Sequence, residues 1–224
     1  MHRKEQIRGN VKRLLAELPK DVVLEAAAKT RTTEETLAAI EAGITIVGEN
    51  YIQEAERAFE VIGRVVNWHF IGHLQRNKVK KAVELFDLIE TIDSFSIAEE
   101  VNRVSSKIGK IMPILIEINS GREPQKFGVF PEYVAELVVK ISALASVKIV
   151  GLMTMGPYEE DIEKSRLYFR AAKEIFERIK KSGIPSVDMR FLSMGMSDSY
   201  NIAIEEGANI VRVGTGIFGP RGRV

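Results

Sequence analysis

The feature that most constrains the fold is an alternation, along the whole chain, of short apolar runs with longer amphipathic segments. Runs of small and branched apolar residues predict strands at Val22–Ala28, Thr45–Gly48, Trp68–Ile71, Leu88–Glu90, Met112–Asn119, Val147–Met153, Asp188–Ser193 and Ile210–Val213. The segments between them have helical periodicity, and Gly43, Gly109 and Gly183 suit the turns that end helices. Eight strands alternating with helices predict a parallel sheet closed into a TIM-like (β/α)8 barrel.

A further helix, from Lys4 to Glu17, is predicted before the first strand. No low-complexity linker divides the 224 residues, so we expect one domain spanning residues 1–224. A doubly wound open sheet is the alternative. Against it, the first strand is not followed by a Gly-rich dinucleotide-binding turn.

Composition excludes several classes of function. The formal net charge is +1, which gives no electrostatic reason to expect nucleic acid or an acidic membrane as a partner. The chain has no cysteine, so disulfides and thiolate chemistry are excluded. No secretion signal or long apolar span is visible, and we expect a cytoplasmic protein.

A barrel predicts that functional groups lie at the C-terminal ends of its strands. Lys29 follows the first strand and shares a face with Ala27 and Glu25 by strand alternation. A surface lysine at the start of a helix is the plain interpretation. In a partly desolvated pocket, however, its amine becomes a nucleophile for carbonyl compounds, which makes Lys29 a candidate for a Schiff base.

The next two strands end in polar residues. Asn50 offers hydrogen-bonding groups to the rim, or alternatively caps the following helix. His73 is expected to line the mouth as a neutral donor or acceptor. His69 and His73 are four apart, but a strand and Gly72 separate them and no cysteine or acidic cluster adjoins them in sequence, so no metal site is predicted.

Phosphate often binds to TIM barrels in the loops after the seventh and eighth strands. The seventh strand ends at Ser193, which offers a hydroxyl, and Ser197 or Asp198 can cap the next helix. The eighth is followed by Gly214 and Thr215, whose backbone N–H groups can face an anion at the start of a short helix. A turn that merely closes the chain is the alternative for this last segment.

Arg212 lies inside the last predicted strand, where a guanidinium needs a partner that accepts hydrogen bonds. A heterocyclic nitrogen of a ligand would serve, as would an inward carboxylate of Glu25 or Glu117. An amine, an anion-binding loop and an arginine between them suit a phosphorylated aldehyde. These residue types alone do not identify that compound.

Six blocks of sequence resemble the pyridoxal phosphate homeostasis protein family, also called the proline synthase co-transcribed family. They are "AAAKT", "VGENYIQE", "WHFIGHLQRNK", "GLMTMGP", "LSMGMSDSY" and "VRVGTGIFGPR", and their order and spacing cover nearly the whole chain. The resemblance implies a barrel similar to the N-terminal domain of alanine racemase, with pyridoxal 5'-phosphate held as a Schiff base. The cofactor-binding residues that it implies are Lys29, Asn50, His73, Ser193, Arg212, Gly214 and Thr215.

The sequence departs from the family pattern at Ala28, Thr32 and Ser199, none of which removes an implied cofactor contact. Glu25, where an apolar residue is usual, has to be paired or protonated if it lies inward.

The resemblance also favours a carrier that limits free cofactor and releases it to apo-enzymes that depend on pyridoxal phosphate, as a monomer or weak dimer. A permanently cationic Arg212 would weaken carbanion stabilisation, and racemases of this type use a second base from an additional domain. We expect none here, because the chain ends at Val224. No catalytic residue is therefore assigned, and Lys126 is a candidate to receive the aldehyde during release. An amino-acid racemase is the alternative, and a cofactor-free Schiff-base aldolase is a third possibility.

Overall fold

In the computed structural model, which describes residues 2–157 and 161–220, parallel strands close into one barrel in chain order. The strands are β1 Val23–Ala27, β2 Ile46–Glu49, β3 Asn67–Phe70, β4 Leu88–Ile92, β5 Met112–Ile118, β6 Val147–Thr154, β7 Val187–Ser193 and β8 Ile210–Val213. The last pairs with the first, and the barrel prediction is confirmed.

Helices follow the strands and surround the barrel. They are α1 His2–Glu17, α2 Thr33–Glu41, α3 Ile52–Ile62, α4 Val79–Leu85, α5 Phe95–Lys107, α6 Val134–Ser142, α7 Ser165–Lys181, α8 Tyr200–Glu205 and α9 Thr215–Phe218. Helix α1 is the predicted extra helix, and it packs against α2 and α9. Short 3-10 turns at 76–78, 131–133 and 162–164 precede α4, α6 and α7. None of the described helices is long and apolar enough to cross a membrane.

Strand alternation divides the side chains between two cores. The larger core lies between strands and helices, and it buries Leu24 and Ala26 of β1 together with Val211 and Val213 of β8. Residues that alternate with these point into the barrel. There a smaller apolar cluster of Leu88, Leu115, Val150 and Met153 forms, with Phe191 packed against it.

Helix α7 shows how the sequence builds the outer layer. Its buried residues recur three or four positions apart, which places them on the face that packs against the sheet. They are Ser165, Phe169, Ala172, Ile175, Phe176 and Ile179. Burying one such aromatic or branched side chain stabilises a fold by roughly 1.5–3 kcal/mol.

Strand register sets which residues meet inside the barrel. Glu25 of β1 lies opposite Arg212 of β8, and Ala27 lies opposite Gly48 of β2. A Cβ atom on Gly48 would lie 2.0 Å from Glu25 Oε1, so the glycine makes room for this carboxylate. The register therefore brings polar groups from distant parts of the sequence into one layer.

Candidate functional site

A cavity of about 290 Å³ opens at the C-terminal ends of the strands. It is lined by Ala27, Lys29, Arg31, Asn50, Ile71, Met155, Met196, Ser197, Asp198, Arg212, Gly214 and Thr215. Three of these residues carry positive charge, and one carries negative charge. The cavity therefore suits an anionic ligand.

Lys29 lies in the turn that follows β1, on the rim of this cavity. Lys29 is partly buried, and its Nζ lies 5.3 Å from the centre of the Tyr51 ring. An ammonium over an aromatic face is a weak electrostatic contact. The Lys29 amine thus lies at the cavity, and its contact with the Tyr51 ring is too weak to hold it away from a ligand.

The loops after β7 and β8 line the same cavity as Lys29. Gly216 N–H donates to Ser197 Oγ at 3.1 Å, which joins the two loops. Gly214 occupies the N-cap position of α9, and Thr215 is its exposed first residue. Backbone N–H groups at the start of a helix, in loops this close together, form an anion-binding surface.

Arg31 reaches the same region from the β1 side. Its Nη2 donates to the Gly219 carbonyl at 2.7 Å, and its guanidinium lies over the Phe218 ring. Sequence reasoning missed Arg31 and the lining role of Ser197. A basic residue two positions after Lys29 was the available signal for the first of them.

Arg212 points into the barrel and is held by hydrogen bonds at its floor. Its Nη1 donates to Ser193 Oγ at 2.6 Å, and its Nη2 donates to the Thr154 carbonyl at 2.9 Å. Among the described residues, the carboxylate that pairs with Arg212 is that of Glu90, at 4.0 Å. The alternative of an ion pair with Glu25 or Glu117 is therefore not seen, and the contact with a ligand nitrogen stays a prediction.

Ser193 does not line the cavity. It is fully buried, and its hydroxyl donates to Glu90 Oε2 at 2.6 Å while it accepts from Arg212. A side chain at a strand end can point to the barrel interior as easily as to a loop, and here the interior partners occupy it. In this structure the Ser193 hydroxyl links Arg212 to Glu90. The contact of Ser193 with a phosphate stays a prediction.

Arg212 belongs to a buried layer of polar and charged side chains inside the barrel. We call it the buried charged layer, and it comprises Glu25, His69, Glu90, Ser193 and Arg212. His69 Nδ1 lies 2.7 Å from Glu90 Oε1 and 3.6 Å from Glu25 Oε2. Both Glu25 oxygens are buried and lack a hydrogen-bond partner among the described residues.

The charges in this layer shift one another's proton affinities. Burial and the negative charge of Glu90 raise the pKa of Glu25 to about 7. Burial would lower the pKa of His69, but the neighbouring Glu25 and Glu90 carboxylates outweigh it and raise that pKa to about 10. Burial likewise opposes ionisation of Glu90, yet the hydrogen bond and charge of His69 hold its pKa below the ordinary value.

Three of these groups also satisfy a loose geometric requirement for a metal site. Glu25, His69 and Glu90 each place one ligand atom within 4.8 Å of the others. However, the 2.7 Å distance between His69 and Glu90 is that of a hydrogen bond, and Ser193 already donates to the same carboxylate. These contacts describe proton sharing better than coordination of an ion.

A second cavity, of about 450 Å³, adjoins the first and shares Lys29, Asn50, Ile71 and Met155 with it. It is also lined by Tyr51, Gly72, His73, Gln75, Thr91, Glu117 and Phe127. The His73 ring stacks on Phe127 with centroids 3.5 Å apart, which joins the loop after β3 to the loop after β5.

Glu117 and Lys126 bring further charge to this side of the mouth. Burial and the charge of Asp93 raise the pKa of Glu117 to about 7. Lys126 Nζ pairs with Glu123 at 2.6 Å and donates to the Gly156 carbonyl at 3.1 Å. The role of Lys126 in release stays a prediction, and it requires this amine to leave its ion pair.

Comparison with known proteins places this geometry in a family. The family model described as alanine racemase, N-terminal domain, matches residues 3–222. The pyridoxal phosphate homeostasis protein of Aquifex aeolicus is 40% identical over 199 residues, which cover 88% of this chain and 86% of the relative. The chain belongs to the pyridoxal phosphate homeostasis protein family. Its Bos taurus member is 34% identical over 232 residues and is covered to 85%, with 96% of this chain aligned.

Solved structures agree with this assignment. PipY of Synechococcus elongatus, solved with PLP bound, has a TM-score of 0.87 and 31% identity, and the match covers 95% of this chain and 100% of PipY. An alanine racemase of Clostridium difficile has a TM-score of 0.83 at 14% identity, and this chain covers 58% of it. The racemase likeness shows the fold alone.

The structure brings together most of the predicted homeostasis-protein site. Lys29, Asn50, Arg212, Gly214 and Thr215 line the first cavity, and His73 lines the second. Ser193 is the exception.

Two helix-capping expectations for these loops were wrong. Tyr51, not Asn50, occupies the N-cap position of α3, and the Asn50 amide donates to the Ile71 carbonyl at 3.4 Å. Ser199, rather than Ser197 or Asp198, occupies the N-cap position of α8. Asn50 and Ser197 thus do not occupy the N-cap positions of α3 and α8, and both line the first cavity.

Proposed function

We propose that this chain binds pyridoxal 5'-phosphate in the first cavity, with Lys29 joined to the cofactor's formyl carbon as a Schiff base, and acts in intracellular vitamin B6 homeostasis. The observation that carries the proposal is that one amine and an anion-binding pair of loops line the same cavity of about 290 Å³. The PLP-bound state of PipY and the names of the relatives support it.

The donor set fits this cofactor. Gly214, Thr215 and Ser197 would hold the phosphate, assisted by the charge of Arg31. Arg212 would face the ring nitrogen, and Asn50 and His73 would contact the ring from the β2 and β3 sides. Ser193 would act on the phosphate only through its neighbours, because its hydroxyl bridges Arg212 and Glu90.

Arg212 bears on whether the chain is a carrier or an enzyme. Bound pyridoxal phosphate supplies an electron sink, which works best when its ring nitrogen is protonated. A guanidinium stays charged and offers no acceptor, so it disfavours that proton. The bonds of Arg212 to Ser193 and to the Thr154 carbonyl hold its guanidinium in place, which supports this role. We therefore favour a non-catalytic carrier that hands cofactor to apo-enzymes.

A racemase-like activity is the second candidate, and one observation favours it. Glu117 lines the cavity next to Lys29, and its raised pKa of about 7 suits a group that exchanges protons near neutral pH. Incubation with L-amino acids and chiral analysis tests this candidate. Turnover well above that of free cofactor, lost in Glu117→Gln, would establish catalysis.

The covalent proposal is tested by absorption spectra and borohydride reduction. The protein mixed with pyridoxal phosphate should absorb in the near-visible, and reduction should place the cofactor mass on the Lys29 peptide. Lys29→Ala should abolish both signals, since no imine can form at residue 29. Lys148→Ala is the matched control, because this lysine lies at the other end of β6 in an ion pair with Asp188. Labelling of another lysine would refute the assignment, and labelling that requires a sugar phosphate instead would favour the aldolase.

A further inference from the structure

The turn that carries Lys29 is strained at the next residue. Thr30 has a φ of +63°, in the left-handed region that β-branched residues avoid. Arg31 N–H donates to the Ala28 carbonyl at 2.9 Å, so Lys29 and Thr30 are the two central residues of this turn. A left-handed third position in such a turn normally selects Gly or Asn.

The chain is fixed on both sides of the turn. Ala28 N–H donates to the Gly48 carbonyl at 2.9 Å, which continues the sheet ladder between β1 and β2. Thr32 N–H donates to Glu35 Oε2 at 3.0 Å, and Thr32 Oγ1 accepts from Glu35 N–H in a capping box that begins α2. The direction of the Lys29 side chain therefore depends on the backbone dihedral angles of Lys29 and Thr30.

One side chain from another element holds the strained residue. Glu54, in the first turn of α3, accepts a hydrogen bond from Thr30 N–H at 2.9 Å. Glu49 lies nearby at the end of β2, where burial and the charge of Glu54 raise its pKa to about 8. The acceptor for the Thr30 N–H is therefore a carboxylate from a different element, α3, and not a group of the turn itself.

We propose that Glu54 is a positioning residue for Lys29: by accepting the Thr30 N–H, it holds Thr30 in the left-handed conformation and thereby aims the Lys29 amine into the mouth. Strain at a functional site persists when the surroundings impose it. Here the sheet, the capping box and Glu54 are those surroundings. This inference rests on the proposed function, in which the Lys29 amine captures the cofactor.

The test is a double-mutant cycle between Glu54 and Thr30, read by the rate of near-visible absorbance gain on mixing with pyridoxal phosphate. Glu54→Ala should slow capture about tenfold, as expected when a strained conformation loses its support. Glu54→Gln retains an acceptor and should recover most of the rate. Thr30→Gly adopts the left-handed region unaided, so it should make capture insensitive to Glu54→Ala.

Matched controls separate positioning from stability. Ser186 is another left-handed residue, with a φ of +64°, and it lies before β7 at the opposite end of the barrel. Asp87 accepts a hydrogen bond from Trp68 N–H at 2.9 Å. This carboxylate-to-backbone bond resembles that of Glu54 but lies far from the mouth of the barrel. Ser186→Gly and Asp87→Ala should change the melting temperature without changing the capture rate.

A second readout does not need the cofactor. In the unloaded chain, hydrogen exchange at the Thr30 amide should accelerate in Glu54→Ala but not in Asp87→Ala. If the wild type never captures pyridoxal phosphate, the proposed function fails while this measurement still tests the hydrogen bond. The inference would be overturned if Glu54→Ala captured pyridoxal phosphate at the wild-type rate. It would also be overturned if the Glu54→Ala, Thr30→Gly double variant captured the cofactor as slowly as Glu54→Ala alone.

Discussion

Polar groups gather in two layers of this barrel, one open at the mouth and the other sealed beneath it. At the mouth, Lys29 and Arg31 are partly exposed, so water lowers the cost of their charges. In the buried charged layer, Glu25 and Glu90 are fully buried and depend on protein groups for compensation. Removal of a side chain should thus affect ligand binding in the open layer and folding in the sealed one.

Arg212 belongs to both layers. It is 4% exposed and lines the first cavity, yet it donates to Ser193 and the Thr154 carbonyl below. The buried carboxylate of Glu90, at 4.0 Å, supplies negative charge that makes a buried guanidinium tolerable. The sealed layer therefore allows a permanent cation to stand at the floor of the cavity.

The largest expected effect is that of Glu90→Ala on stability. The substitution removes the acceptor for His69 and Ser193 and leaves the charge of Arg212 without its nearest carboxylate. Breaking such a buried arrangement costs roughly 3–5 kcal/mol. Urea denaturation of the unloaded protein measures this loss. Glu136→Ala, which breaks an exposed pair with Lys140, should cost far less, because water screens that pair. Equal losses in the two variants would remove the distinction between the layers.

The sequence predicted the open layer much better than the sealed one. The ends of strands were within one or two residues of those observed, so Lys29 and Gly214 could be assigned to one rim before the structure was known. The sealed layer depends on register and on contacts across the barrel. Nothing local in the sequence indicates that Ser193 reaches Glu90, 103 residues away, instead of a ligand. Glu25 was identified as unusual, but its neighbours could not be named.

The next effect is a dependence of stability on pH that Glu25 contributes. Its pKa in the folded protein is about 7, above that of an unfolded glutamate, because burial and Glu90 oppose ionisation. The folded state therefore binds this proton more tightly, and the contribution to stability is present at acidic pH and lost as pH rises towards 7. Glu49 and Glu117, with pKa values raised to about 8 and about 7, add to the same trend.

Glu25→Leu isolates the first of these contributions. Between pH 5 and pH 8 the free energy of unfolding should fall less in this variant than in the wild type. The two decreases should differ by on the order of 2 kcal/mol. At pH 8 the variant should be as stable as the wild type or more so, because a buried carboxylate that makes no hydrogen bond with the described residues is replaced by an apolar group. Denaturation curves at both pH values measure the difference. An unchanged pH slope would show that Glu25 is ionised throughout.

The smallest expected effect is that of Gly214→Ala in the open layer, which tests whether the ligand approaches the backbone closely at this position. Gly214 has a φ of −107°, which any residue adopts, and a Cβ there would meet the Ala27 carbonyl at 3.4 Å. Gly214→Ala should therefore change stability by no more than about 0.5 kcal/mol. It should still weaken pyridoxal phosphate binding by roughly three- to tenfold, because the methyl group stands where an anion must approach the backbone.

Gly216→Ala is the contrasting variant. Its Cβ would lie 2.8 Å from Val213 Cγ1, so the outer core must shift to accept it, and stability should fall as well as binding. Equilibrium titration of absorbance and thermal melting of the unloaded chain give the two quantities for each variant. If Gly214→Ala binds as the wild type does, the phosphate does not approach this backbone closely. The anion would then rest chiefly on Arg31, Ser197 and Thr215, and the open layer would bind through side chains.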